Sequence, residues 1–253
     1  MVGLFYPLLA ISVTAQVLVL GNPSNAVSRT DQPDNYLIVH SEFIVSYNRS
    51  RGAANWVTWH LSASDLGPVD RTNSFRADTK LPRSWRIKKA DYNGSGLHRG
   101  QMCPSEDRST TVDKNRQTFL MTNMQAQVAR LNSGTWRSLE KYTQDSVREG
   151  MEAYVTAGCY GDNGKVVGSG KVTIPTRCWK VILLIPEGGN DLQRINSSTR
   201  VIAVDMPNDP EILSGWRNYR VTVDEIEEAT GYDLFSTLED DIEEALEGVL
   251  DNL

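Results

Sequence analysis

The stretch "GLHRGQMCPSEDRS" (residues 96–109) connects a long polar segment to a short apolar run. Within it, the sequence predicts a tight turn at Arg99 and Gly100, because glycine adopts turn conformations without steric cost. His98 precedes this turn and Gln101 follows it. Three polar side chains are therefore expected close together, and the elements that follow decide which fold they belong to.

A strand and a helix are predicted directly after this stretch. The buried apolar run "TFLMTNM" (residues 118–124) predicts the strand, and "SGTWRSLEKYTQDSVREG" (residues 133–150) predicts a helix closed by its terminal glycine. Asn132 lies just before this helix and Glu140 lies within it. Eight residues correspond to about 80° of helical rotation, so both side chains can face the same side.

This arrangement suits the hydrolysis of a phosphodiester bond. That reaction needs a nucleophilic water, a cation on the phosphate and groups that orient the substrate. The oxygen of Asn132 can bind Mg²⁺ directly while the carboxylate of Glu140 holds metal-bound waters, because Mg²⁺ keeps most of its waters in proteins. The spacing alone is weak evidence, since an asparagine before a helix is often a cap.

Strands dominate the rest of the chain, and its helices are inserted rather than alternating, which predicts an α+β fold. Residues 62–96 predict a long surface connection that carries Arg71. No linker divides the sequence, so residues 16–253 predict a single domain. Further strands are predicted within residues 34–48 (two strands, with a turn near Ser41), 54–61, 152–158, 170–175, 178–186 and 199–207, and terminal helices over residues 223–230 and 239–250.

The net charge of −6 is unevenly distributed along the chain. Twelve acidic residues and no lysine or arginine lie between residues 221 and 253, so residues 1–220 contain 26 basic and 20 acidic residues. A basic body of this kind can bind a polyanion. The acidic end either solubilises the opposite face or is the solvated side of a terminal helix.

The first residues, "MVGLFYPLLAISVTA" (residues 1–15), have the length and apolar character of a signal peptide. The alternative is a buried N-terminal strand, because no lysine or arginine precedes the apolar run. The sequence therefore predicts a secreted or periplasmic protein whose mature form does not enter a membrane.

The residues that most often bind zinc do not have the spacing of a zinc site. Cys103, Cys159 and Cys178 lack paired spacing, and one disulfide between Cys159 and Cys178 is possible in an exported chain. His40 and His60 lie on predicted strands, where packed or hydrogen-bonded roles are favoured over metal binding.

The sequence resembles the DNA/RNA non-specific endonuclease family, the ββα-metal nucleases that include secreted bacterial nucleases and mitochondrial endonuclease G. The resemblance implies a central, mostly antiparallel sheet flanked by helices. It also implies a sugar-non-specific endonuclease that uses one Mg²⁺ (or Mn²⁺) ion per site, acts on DNA and RNA and can have a protein inhibitor. The matching blocks are "LGNPSNA", "PDNYLIVHSEFIVSYN", "ANWVTWHL", "CPSEDRS", "FLMTNM", "LNSGTWRSLE", "KVTIPTRCWKV", "STRVIAVDMPNDPE" and "TGYDLFS".

The resemblance assigns roles to individual residues of the metal and phosphate sites. Asn132 matches the sole protein ligand of the metal, and Glu140 matches the acid that orients its waters. Arg71 and Arg99 match groups near the scissile phosphate. A further phosphate-binding arginine of the family falls on Gln144.

The general base is where this chain departs from the family motif Asp-Arg-Gly-His. His98 stands in place of the motif's aspartate, and Gln101 stands in place of its catalytic histidine. An amide has no useful basicity at neutral pH, and loss of a general base costs about 10²–10⁴ in rate. An imidazole normally titrates near neutrality, but the Cα of His98 lies up to about 10 Å from that of Gln101, so His98 would need a different water.

Two functions from different classes follow from this departure. The first is an impaired metal-dependent endonuclease with a relocated base or a water positioned by Gln101. The second is an inactive family member that binds nucleic acid or an inhibitor protein. Loss of an unneeded site or an alteration that silences a toxic nuclease would both explain the second.

Overall fold

The structure is a computed structural model that describes residues 17–253. The predicted signal peptide, residues 1–15, lies outside the described residues. Among those described, no helix is long and apolar enough to cross a membrane.

A seven-stranded sheet forms the centre of the molecule, and all of its strand pairs are antiparallel. This confirms the predicted α+β class with a mostly antiparallel sheet. The two strands predicted within residues 34–48 are present, separated by the expected turn. In spatial order the strands are β1 (Tyr36–Val39), β2 (Ile44–Asn48), β3 (Ala53–Leu61), β6 (Met151–Tyr160), β9 (Arg177–Pro186), β10 (Arg200–Pro207) and β11 (Arg220–Val221).

Two small hairpins lie outside this sheet, and the first of them corrects two predictions. One pairs β4 (His98–Gln101) with β5 (Met124–Gln127), and the other pairs β7 (Val166–Val167) with β8 (Val172–Thr173). Arg99 and Gly100 therefore belong to a strand rather than to a tight turn. The predicted position of the strand over residues 118–124 was wrong. Most of these residues form buried turns, and the observed strand β5 begins only at Met124.

Five helices complete the described fold: α1 (Val112–Gln117), α2 (Arg137–Arg148), α3 (Asp191–Arg194), α4 (Val223–Thr230) and α5 (Asp240–Glu247). The helix predicted over residues 133–150 begins earlier than expected. A π-helical turn over Leu131–Trp136 leads directly into α2, so Asn132 lies inside the helical segment and not before it.

Both faces of the sheet are covered, because alternate residues of its central strands point to opposite faces. On β3, Val57 and Trp59 belong to one core, which also contains Leu139 of α2. Trp56 belongs to the other core, which contains Ile226 of α4 and Leu246 of α5. The hairpin of β4 and β5 and helix α2 thus share one side of the sheet, and the acidic C-terminal helices cover the other.

Two histidines and all three cysteines are buried or nearly buried within the fold. His40 Nε2 lies 2.8 Å from Asp78 Oδ2, and His60 Nε2 lies 3.0 Å from Glu152 Oε2, which confirms that both are hydrogen-bonded. Cys159 and Cys178 are direct partners on β6 and β9 and form a disulfide, while Cys103 is a buried free thiol.

Removal of this disulfide is expected to lower the free energy of unfolding by about 2–4 kcal/mol, because the bond restricts the unfolded chain. The change is Cys159→Ala with Cys178→Ala, measured by urea unfolding with and without reductant. Reductant should lower the unfolding midpoint of the parent towards that of the double variant and leave the double variant unchanged. Equal midpoints for oxidised parent and double variant would contradict the expectation.

Candidate active site

An open cleft of about 290 Å³ lies beside the hairpin of β4 and β5 and the start of α2. Six of the seven residues predicted for the site line this cleft. The fold thus brings together side chains from Arg71 to Glu140, which are far apart in the sequence. Pro104, which matches the proline of the family motif, also lines the cleft, and the lining residues that the sequence did not single out are Glu106, Ser133 and Arg137. The predicted residues that line the cleft are Arg71, His98, Arg99, Gln101, Asn132 and Glu140.

The hairpin register positions the first of these residues. His98 is paired with Gln127, and Gln101 is paired with Met124. Gly100 has a steric reason to be glycine, because a Cβ there would lie 1.9 Å from Gln127 Oε1. The Gln127 side chain therefore packs against Gly100, and a larger residue at this position would require that side chain to move.

Gln101 has its amide fully engaged by neighbouring groups. It is 5% exposed, and its Nε2 donates hydrogen bonds to the carbonyl oxygen of Thr118 at 3.0 Å and to Thr118 Oγ1 at 2.9 Å. Its Oε1 accepts a hydrogen bond from Arg71 Nη1 at 2.6 Å. The side chain that occupies the general-base position thus orients Arg71, and its amide cannot take a proton from water.

Two of the arginines stack on a pair of aromatic rings. The guanidinium of Arg71 lies 4.9 Å from the ring centre of Phe119, and that of Arg99 lies 4.6 Å from the ring centre of Phe75. The two rings contact each other edge to face. Such stacking holds a guanidinium in place and leaves its N–H groups free for an anion.

Arg99 shows this free donor capacity directly. Its Nε is buried and has no hydrogen-bond partner among residues 17–253. A buried unpaired donor is costly, and an anion in the cleft would satisfy it. Arg99 therefore keeps an unused donor and lines the cleft.

Asn132 and Glu140 project from the π-helical turn and from α2 respectively. Asn132 Nδ2 lies 3.1 Å from His98 Nδ1, and Ser133 Oγ lies 3.4 Å from the same nitrogen. With the amide nitrogen directed at His98, the carbonyl oxygen of Asn132 is available to a cation.

Glu140 is held in a nearly buried position beside a buried lysine. Its Oε1 lies 3.7 Å from Lys180 Nζ, and the ammonium lies 4.2 Å from the ring centre of Trp136. Burial raises the pKa of Glu140 to about 7, although Lys180 and Arg137 both act to lower it. A divalent cation nearby would favour the ionised carboxylate, and the two side-chain oxygens of Asn132 and Glu140 are of the hard type that Mg²⁺ and Mn²⁺ bind.

Gln144 is the predicted residue that the structure does not bring into this cleft. It is buried, and its Nε2 donates a hydrogen bond to Asp107 Oδ1 at 2.8 Å. Trp59 Nε1 donates to the other carboxylate oxygen of Asp107 at 2.9 Å. Its amide nitrogen is thus engaged with a buried carboxylate, and Gln144 lines a neighbouring depression with Glu106, Arg137 and Glu140.

The sequence reasoning missed Arg137 and Glu106. Arg137 is exposed at the cleft, and it lies three residues before Glu140 and seven before Gln144, which places all three on one side of α2. This spacing was a signal that could have identified it. Glu106 Oε2 accepts a hydrogen bond from Ser105 Oγ at 3.2 Å, and no pattern in the sequence pointed to its place at the cleft.

The cleft brings the side-chain oxygens of Asn132 and Glu140 together with several guanidinium groups. The chain belongs to the DNA/RNA non-specific endonuclease family, whose model matches residues 20–241. Membership of this family supports a non-specific nuclease, and members of the family typically use a divalent metal.

Several relatives match over most of the chain. A nuclease from Nostoc sp. is 45% identical and covers 97% of this chain and 90% of its own length. Human mitochondrial endonuclease G is 31% identical over 75% of this chain and 66% of its own length. The solved structure of the EndoG/EndoGI complex shows the same fold, with a TM-score of 0.75 at 24% identity over 91% of this chain and 94% of the other.

Proposed function

We propose that this chain is a divalent-metal-dependent endonuclease that hydrolyses DNA and RNA without sugar specificity, and that Gln101 makes it slow. The observation that carries the proposal is the single cleft in which Asn132 and Glu140 face three guanidinium groups. The test is degradation of plasmid DNA and of a structured RNA in the presence and absence of Mg²⁺ or Mn²⁺. We expect slow degradation of both nucleic acids, and a metal chelator should abolish it.

Asn132 and Glu140 would hold the metal, one Mg²⁺ (or Mn²⁺) ion in the cleft. When bound, this ion supplies stabilisation of negative charge on the phosphate and the leaving oxygen. His98 has a positioning role in this proposal, because its Nδ1 accepts from Asn132 Nδ2 and so directs the amide oxygen away from itself. A residue that hydrogen-bonds to a metal ligand and fixes its orientation typically changes metal affinity or activity by about 10–100-fold.

The guanidinium groups of Arg71, Arg99 and Arg137 would bind the phosphate backbone. Arg71 is oriented by Gln101 and Ser105, and Arg99 is stacked on Phe75. Contacts to phosphate carry no sequence information, which agrees with cleavage that is independent of sequence.

Replacement of Arg137 by glutamine is expected to weaken DNA binding and cleavage by about 10–100-fold, the value of one charge-assisted hydrogen bond. In this proposal Arg137 supplies a positive charge from α2, whereas Gln144 on the same helix is neutral. Binding of a short duplex is measured at several salt concentrations, where the variant should also show a shallower loss with salt. Arg83→Gln, an exposed arginine away from the cleft, is the matched control. Equal losses in both variants would contradict a specific role.

The second candidate function is a binder that does not cleave. It is favoured by the engagement of the Gln101 amide with Arg71 and Thr118, which leaves no proton acceptor at the general-base position. Binding of DNA without cleavage over long incubation, with a steep loss as salt rises, would support it.

We further propose export and an inhibitor partner. The disulfide between Cys159 and Cys178 supports a secreted or periplasmic location, because such bonds persist in oxidising compartments. The solved EndoG/EndoGI complex supports a protein inhibitor as a partner for this fold. Detection of the chain in culture medium or periplasm with residues 1–15 removed would test the location.

A further inference from the structure

Three carboxylates converge on the side of the sheet that lies opposite the cleft. Asp224 and Glu227 belong to α4, and Glu247 is the last residue of α5. One oxygen of each lies within 4.8 Å of an oxygen of each of the others. The backbone N–H of Leu234 donates to Glu227 Oε1 at 2.7 Å and helps to fix that side chain.

Glu247 is the buried member of this group. It is 8% exposed, and its Oε1 is buried without a hydrogen-bond partner among the described residues. Burial, followed by the neighbouring Glu227, raises the pKa of Glu247 to about 8. A buried carboxylate oxygen without a partner is costly, and either a proton or a cation is needed to offset that cost.

The protein itself supplies no positive charge from this part of the chain. Residues 221–253 contain no lysine or arginine. The contrast is the group formed by His60, Glu152 and Asp191, whose oxygens and nitrogen also converge. There the guanidinium of Arg194 pairs with both carboxylates and occupies the place of a cation.

We propose that Asp224, Glu227 and Glu247 form a Ca²⁺ site that joins α4 to α5. Oxygens on opposite sides of Ca²⁺ are up to about 5 Å apart, so a spacing within 4.8 Å accommodates this ion, and Ca²⁺ gives up its waters to carboxylates more readily than Mg²⁺ does. Glu247 also lies at the C-terminal end of α5, where the helix dipole favours a cation. The ion would cancel repulsion between two acidic helices that pack on the same core.

The test is thermal unfolding of the full chain with CaCl₂ at constant ionic strength. The Asn132→Ala background is used so that the cleft does not bind the ion. With a dissociation constant of about 10⁻⁴–10⁻³ M, 10 mM Ca²⁺ should raise Tm by about 3–10 °C, and Mg²⁺ should raise it less. Calorimetric titration with CaCl₂ should give one ion per chain.

Glu247→Gln and Glu227→Gln should each abolish the Ca²⁺-dependent rise. Neither should prevent folding, because each removes charge from a crowded acidic group. Glu244→Gln, which makes the same charge change at an exposed position of α5, is the matched control and should keep the rise. A parent without a rise, or a rise that survives in Glu247→Gln, would overturn the proposal. Neither result bears on nuclease activity, since the cleft is on the other side of the sheet.

Discussion

Replacement of Gln101 by histidine is expected to raise the rate of Mg²⁺-dependent plasmid cleavage at pH 7 by about 10²–10⁴-fold, which is the usual contribution of a general base. The reason is local. The amide of Gln101 is held between Thr118 and Arg71, so it can orient its neighbours but cannot accept a proton. An imidazole at the same strand position faces the same cleft and has a pKa near neutrality.

The controls separate the base from changes in packing. Gln101→Asn disturbs the same contacts without adding a base and should not raise the rate. Gln193→His adds an exposed histidine elsewhere and should leave the rate unchanged. The triple variant His98→Asp, Gln101→His, Gln144→Arg restores the family pattern. If neither it nor Gln101→His cleaves or binds DNA, the assignment of the site is wrong.

Replacement of Asn132 by alanine is expected to reduce Mg²⁺-dependent cleavage by at least about 100-fold, because it removes the only neutral oxygen ligand assigned to the metal. The comparison is made in the Gln101→His background, where the rate is high enough to measure a loss. Calorimetric titration with Mn²⁺ should show that one ion no longer binds in the cleft.

The matched control for this change is Asn252→Ala, an exposed asparagine near the C-terminus and distant in sequence from the site. Its rate and its metal binding should equal those of the Gln101→His background. Retention of both metal binding and cleavage in Asn132→Ala would show that the ion is held by other groups of the cleft.

Much of the fold was predictable because long strands carry their own signal. On β3 the alternation of Val57 and Trp59 with Trp56 reflects two separate cores on the two faces of the sheet. The capped helix α4 was predicted with its observed bounds, since Thr222 and Glu225 form a capping box at its start and Gly231 ends it.

The errors occurred where tertiary contacts determine local structure. Strand β4 has four polar or small residues, and only its pairing with Met124–Gln127 makes it a strand. The early start of the helical segment depends on burial of Leu131 and Trp136, which outweighs the poor helix propensity of Ser133 and Gly134.

The site was predictable as a set of residues and not as a set of contacts. Its members followed from the family resemblance. The hydrogen bond between Arg71 and Gln101 joins residues thirty positions apart, and the pair of Glu140 and Lys180 joins a helix to the central sheet. No local pattern encodes such contacts, because they depend on how the elements pack.

The most direct test of the central claim is the pH dependence of Mg²⁺-dependent cleavage by the parent and by Gln101→His. Without a protein base, the parent rate should increase about tenfold per pH unit from pH 6 to pH 9, because hydroxide replaces the missing proton acceptor. Gln101→His should reach a plateau above the pKa of its histidine, near about 6.5. A parent that reaches the same plateau would contradict the claim, and loss of that plateau in His98→Ala would identify His98 as the base.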